Sequence, residues 1–414
     1  MNFRYAATFV IAMLLGSAVA GAEDAPGSVE DLWEVVQRQQ AEIEALRNEI
    51  REIRQDAAAA DSEIAVAKAQ IEATGEFVET IVELPSSQRS TSIGGYGELH
   101  YNNVDADNGD SEEIDFHRFV LFFGHQFSDK VQFFSELELE HSLASSDGPG
   151  EVELEQAYVD IALRDNLTAR AGLFLLPVGM INETHEPPTF YGVERNDVEN
   201  IIMPATWWEA GAGLHGKFDN GISWDIAVHS GLAMPTDGGS AFRVRSGRQK
   251  VAEALASDPA YTARLKYTGV PGLELAASYQ YQSDPSQVAG DGLDRGQLFT
   301  AHASWQRANF GLRALYGGWK FDGAAVEAAG ADRQDGWYIE PSYRLTDNWG
   351  IYARYEDLDG ARTRDKFTQN EFGINYWPTE GVVFKMDYRL RDHTSATESG
   401  RDFSAIDLGF GYAF

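Results

Sequence analysis

The closing run of the chain, Phe403 to Phe414, reads FSAIDLGFGYAF, and it limits the fold more than any other stretch. Ile406, Leu408, Phe410, Tyr412 and Phe414 alternate with Ala405, Asp407, Gly409, Gly411 and Ala413, so one face is large and apolar and the other small or polar. That is the period of a β-strand. A strand ending on an aromatic residue suits a sheet that closes on itself, because an open edge would leave backbone donors and acceptors unpaired. Inside a bilayer, closure is the only arrangement of strands allowed.

The same period recurs from Ser92 onward. Alternating segments fall near 92–101, 114–126, 130–141, 151–163, 167–174, 209–218, 222–231, 260–268, 272–281, 296–306, 309–319, 335–344, 349–356, 369–377, 381–390 and 403–414, which predicts sixteen strands. Tight turns such as Asp219-Asn220-Gly221 and Thr346-Asp347-Asn348 alternate with long polar connections, the asymmetry of outer-membrane barrels. Val382, Phe384, Met386, Tyr388 and Leu390 should face lipid, while Val383, Lys385, Asp387 and Arg389 face a lumen. Aromatics at strand ends, among them Trp305, Trp319, Trp337, Trp349 and Trp377, read as interfacial girdles. Parity shifts at Phe133-Phe134 and Gln156-Ala157 suggest bulges.

Three segments precede this region. Arg4, the apolar run Phe9 to Leu15 and the small residues Ala18, Ala20 and Ala22 make 1–22 a signal peptide. Residues 23–75 read as an α-helical coiled coil, with Val29, Val36, Ile43, Ile50, Ala57, Ile64 and Ile71 at one heptad position. The pairs Glu42/Arg47, Glu49/Arg54 and Glu63/Lys68 place opposite charges where parallel helices meet, which favours a periplasmic oligomer. A linker, 76–91, contains Leu84-Pro85-Ser86-Ser87 and leads to the barrel, 92–414. The expected fold is thus an all-β, sixteen-stranded antiparallel transmembrane β-barrel preceded by a coiled coil.

The formal charge of -32 excludes a nucleic-acid partner, and the absence of cysteine excludes thiolate metal sites. Catalytic signatures do not fit their surroundings. Gly211 to Gly216 matches G-x-G-x-x-G but leads from a strand into a turn, and His185-Glu186 is followed by Pro187-Pro188, which forbids a zinc-binding helix. No enzymatic activity, cofactor or metal is expected.

The segments IGGYGELHY (93–101), IDFHRFVLFFGHQFSDKVQFFSELELEH (114–141), LEQAYVDIAL (154–163), the long stretch 170–218 with LFLLPVG and HEPPTFYGVERN, and terminal Phe414 resemble the bacterial outer-membrane porins of the phosphate-selective (O/P-type) family. The resemblance implies a trimeric barrel in the outer membrane, surrounded by lipid and lipopolysaccharide, that passes small hydrophilic solutes. Phe414 matches the terminal assembly signal of such barrels.

Candidate pore-lining charges follow from the alternation and the two longest connections. Inward strand positions offer Arg170, Lys217, Arg264, Lys266 and Arg313. Loop 175–208 offers Glu183, Glu194 and Arg195, and loop 232–259 offers Arg243, Arg245, Arg248 and Lys250 within eight residues, followed by a short helical pattern at VAEALA. A basic cluster facing an acidic loop would set up a transverse field at a constriction. Selectivity is decided at the narrowest point, since charge elsewhere is screened over about 8 Å. The expected function is passive diffusion with a mild preference for anions such as phosphate. The alternative is a structural tether, in which the coiled coil reaches toward the cell wall and the barrel only anchors it.

Overall fold

The computed structural model describes residues 91–142 and 149–414. The signal peptide, the coiled coil and all but the last residue of the linker lie outside the described residues. The chain divides into two units, Met1–Glu63 and Ile64–Phe414, and the barrel belongs to the second.

Sixteen antiparallel strands follow one another around a closed barrel. They are β1 (Thr91–Ala106), β2 (Ser111–Ser128), β3 (Val131–Glu140), β4 (Val152–Arg164), β5 (Leu167–Leu175), β6 (Trp208–Lys217), β7 (Ile222–His229) and β8 (Ala260–Val270). The second half comprises β9 (Leu273–Gln282), β10 (Arg295–Arg307), β11 (Phe310–Asp322), β12 (Arg333–Arg344), β13 (Trp349–Asp359), β14 (Lys366–Thr379), β15 (Val382–His393) and β16 (Phe403–Ala413). Every expected segment is a strand.

Closure is made by β1 and β16, paired from Tyr96/Ala413 to Ala106/Phe403. Beyond that ladder, Gly95 and Phe414 exchange two backbone hydrogen bonds of 2.9 Å. Glycine is required on the β1 side. A Cβ on Gly97 would lie 2.6 Å from the Tyr412 hydroxyl, and one on Gly95 would lie 2.3 Å from the Val120 carbonyl oxygen and 3.2 Å from the Phe414 ring.

The pleat sorts the side chains as the alternation requires. On β15, Phe384, Met386 and Tyr388 are exposed on the lipid side, whereas Val383, Lys385, Asp387 and Arg389 are buried on the lumen side. Two expected girdle residues depart from this. Trp319 is buried against Trp207 and Phe321, and Trp377 is buried between Tyr191 and the Arg344 guanidinium. Both fall on the lumen-facing parity of their strands, and a large connection that enters the bore offers them the aromatic partners Trp207 and Tyr191. The expected bulge on β4 lies one residue from its anticipated place: Glu136 pairs with Gln156 but Leu137 with Leu154, so Glu155 is the extra residue. No shift occurs at Phe133-Phe134, where β3 stays in register with both neighbours. Phe134 instead joins a lumen-side aromatic row with Tyr96, Phe122 and Tyr158.

Candidate functional site

A sixteen-stranded barrel is wide enough to hold an aqueous channel. Here the connection between β5 and β6, residues 176–207, enters that space. Its two ends are held together by buried Asn182, whose amide nitrogen donates to the carbonyls of Leu176 and Trp207 at 2.8 and 3.0 Å. Asn182 Oδ1 accepts from the Trp207 backbone at 2.6 Å. The Leu176 backbone N–H also donates to the Trp207 carbonyl at 3.0 Å, so the side chain reinforces the last rung of the β5–β6 ladder.

Farther along, Asn196 caps the short helix α1 (Asp197–Ile201) by accepting from the Glu199 backbone at 2.8 Å. Fully buried Glu199 accepts from the backbone N–H groups of Met180 and Ile181 at 2.7 and 2.8 Å and from the Tyr338 hydroxyl at 2.9 Å. The loop therefore carries its own framework, stiffened by Pro177, Pro187, Pro188 and Pro204.

That framework is fastened to the wall on several sides. Ser278 of β9 donates to the Pro177 carbonyl at 2.7 Å, Arg313 of β11 to Thr189 at 2.9 Å, and Lys385 of β15 to Gly192 at 2.6 Å. Asp387 accepts the Val193 backbone N–H, and Arg391 pairs with Asp197. On β8, Arg264 binds Glu183 of the loop and Asp225 of β7. Glu194 meets His100 of β1 at 3.1 Å and accepts from Asn102 at 3.0 Å. Burial works against the Glu194 carboxylate, but neighbouring His100 outweighs it and holds the pKa far below the usual carboxylate range. His185 lies 3.4 Å from Glu136 and 3.6 Å from Glu155. Burial disfavours its charged form, yet these two glutamates carry its pKa up to about 10.

The connection between β7 and β8, residues 230–259, lies over this loop. Arg245 donates to the carbonyls of Asn200 and Ala205 at 3.1 and 2.9 Å, and Arg248 donates to the Thr206 carbonyl. Arg195, from the first loop, donates to the Thr206 hydroxyl at 2.7 Å. Three guanidiniums thus converge on 200–206. Among the described residues none has a carboxylate in salt-bridge contact, and Nε and Nη2 of Arg195 and Nε of Arg248 are buried without a hydrogen-bond partner. Burial, followed by the charges of Arg248 and Arg195, pushes the Arg245 pKa down. Across from them, Glu138 and Glu140 of β3 and Glu153 of β4 bring their oxygens within 4.8 Å of one another.

The other candidates separate into distinct places. Lys250 bonds to Glu151 and Glu153, on the acidic side. Arg243 lies apart, 3.8 Å from Asp365 in an outer connection. Arg170 makes a two-pronged pair with Asp160 at 2.8 Å, Lys266 stands 3.9 Å from Glu274, and Lys217 is exposed at the turn end of β6. The acidic side facing the basic cluster is therefore the β3–β4 wall and not loop 175–208, whose Glu183, Glu194 and Asp197 are engaged with wall cations. VAEALA forms no helix. Asn182, Glu199 and Trp319 act as framework residues that the periodicity does not announce. The one available cue is an Asn and a Glu amid prolines and tryptophans, residues rarely buried without partners.

The barrel region has known relatives. A family model described as phosphate-selective porin O and P matches residues 94–414. An uncharacterized protein of Aquifex aeolicus (strain VF5) is 30% identical over 361 residues, covering 78% of this chain and 80% of that protein. Among solved structures, an anion-selective porin from Comamonas acidovorans aligns with TM-score 0.56 at 12% identity, over 79% of this chain and 100% of that one. OmpF of Salmonella typhi in complex with daunomycin gives 0.54 at 14% identity, over 79% and 98%. The trimer form of in-vitro folded OmpT from Vibrio cholerae gives 0.50 at 10%, over 78% and 100%. At these identities the structural likeness is one of fold.

Proposed function

The chain belongs to the phosphate-selective porin O and P family, which makes it a passive diffusion channel of the outer membrane, and we propose that its constriction favours small anions such as phosphate. The observation that carries this reading is the convergence of Arg195, Arg245 and Arg248 on residues 200–206 without a contacting carboxylate. A unit charge at ~10 Å, with an effective dielectric near 20, contributes roughly 1.5 kcal/mol to an anion in transit. Lys250, Arg264, Lys266, Arg170 and Arg313 line the route as neutralised pairs or loop anchors, so they shape the passage more than they charge it.

The test is the reversal potential of the full-length protein in a salt gradient across a planar bilayer. R245Q/R248Q should lower the anion-to-cation permeability ratio by at least ~10-fold, the change that a single such charge acting on the anion alone would give. An unchanged potential would overturn the selectivity. The Comamonas acidovorans porin of similar fold is itself anion-selective.

The assembly reading is a homotrimer in outer-membrane lipid and lipopolysaccharide, with residues 23–75 as a parallel periplasmic coiled coil. The heptads and the Glu42/Arg47, Glu49/Arg54 and Glu63/Lys68 pairs support it. A peptide of residues 28–75 that stays monomeric and unstructured at high concentration would remove that support.

A further inference from the structure

Where β1 and β2 approach the long connections, a bulge changes which side chains meet the lumen. Glu98 pairs with Arg118 but His100 pairs with Asp115, so Phe116 and His117 together oppose Leu99. Bulges re-aim side chains. This one turns His117 onto the side occupied by His100, and the two imidazoles stack at 4.9 Å with 14° between their planes. Just beyond β3, the backbone N–H of His141 donates to the His117 carbonyl at 3.0 Å, which makes the two histidines cross-strand neighbours.

The side chains converge on one atom. Asp115 Oδ2 lies 3.2 Å from Nδ1 of His117 and 2.7 Å from Nδ1 of His141. All three donor atoms fall within 4.8 Å of one another. Their side chains are 18%, 29% and 30% exposed for Asp115, His117 and His141, so a solute in the lumen can reach them.

We propose that Asp115, His117 and His141 bind a divalent transition-metal ion of the zinc or copper type in the outer half of the lumen. Two imidazole nitrogens and one carboxylate oxygen suit borderline-soft cations, while calcium and magnesium ask for oxygen alone. Tetrahedral bonds of about 2.05 Å place ligand atoms about 3.3 Å apart. The 3.2 Å pair already has that spacing, and the 2.7 Å pair needs only a modest opening. Three protein ligands would leave the fourth tetrahedral position to water. The position is coupled to the constriction, because His117 stacks on His100 and His100 meets Glu194 of the inserted loop.

The test uses the untagged, full-length protein in detergent with Zn²⁺ and Cu²⁺ as probes. Calorimetry should show one strong zinc site per chain that excess Mg²⁺ does not displace, and bound Cu²⁺ should show coupling to imidazole nitrogen in its paramagnetic spectrum. H117Q/H141Q and, separately, D115N should each weaken binding at least tenfold while the heat-modifiable barrel band persists. If a variant yields no barrel, the wild-type copper spectrum decides alone. A spectrum without nitrogen coupling, zinc displaced by Mg²⁺, or unchanged affinity in folded H117Q/H141Q overturns the site.

Discussion

The Trp319 indole N–H donates to the Ile202 carbonyl at 2.8 Å, joining the wall of β11 to the turn of the inserted loop that follows α1. Beside it, Met203 packs so closely on Gly317 that a Cβ there would lie 2.7 Å from the methionine methyl. W319F keeps an aromatic ring beside Phe321, smaller than the indole, and removes the donor. An unsatisfied buried carbonyl costs about 1–3 kcal/mol. The expected outcome is larger single-channel conductance with added open-channel noise, and a barrel melting temperature within a few degrees of wild type. Traces indistinguishable from wild type would show that this bond does not hold the loop.

Proton binding should tune the same loop. His185 is carried from an ordinary value of 6.5 to about 10 by Glu136 and Glu155 against the effect of burial, so its stabilisation is complete below pH 6.5 and fades as pH rises to about 10. Glu194 is depressed from 4.5, so its contribution is present above that value and lost on acidification. Conductance measured against pH should be lowest and steadiest between about 4.5 and 6.5 and should rise toward pH 10. H185Q should flatten the alkaline rise, and a rise of full size in that variant would assign it to another group.

Arg243 stands near the basic cluster in sequence but pairs with Asp365 away from residues 200–206. R243A is therefore expected to leave the reversal potential within error of wild type, in contrast to R245Q/R248Q. A shift as large as that of the double variant would place Arg243 in the ion path.

Barrel closure depends on a fit between two glycines and two aromatics. G97V drives a side chain into the Tyr412 hydroxyl, and deletion of Phe414 removes both 2.9 Å bonds to Gly95. Each should reduce the heat-modifiable barrel recovered from outer membranes several-fold while export continues. Equal band intensities for variant and wild type would refute the requirement.

Much of the barrel was legible in the sequence because a strand exposed to lipid on one side and to a lumen on the other writes its environment in alternate residues. Phe384 and Lys385 each betray their side at once. Trp319 and Trp377 do not, since an aromatic at a strand end suits an interface and a filled lumen equally well. The partners of Asn182 and Glu199 lie up to 25 and 139 residues away, and local spacing carries no record of them. The basic cluster was visible as Arg245 and Arg248, but its third member, Arg195, comes from the other loop. The placement of His117 depends on a bulge that shifts parity by one residue, a change that periodicity registers only as noise.

The pairing of Tyr96 with Ala413 and Ala106 with Phe403 joins the opening of the barrel sequence to its close. During synthesis β1 emerges long before its partner, and no strand between them can substitute for β16 without shifting the register of the whole ring. A chain cut short at any internal point keeps two raw edges, β1 on one side and its last finished strand on the other. Closure is thereby all-or-none: only a ring with all sixteen strands in place leaves no edge open to pairing with another chain.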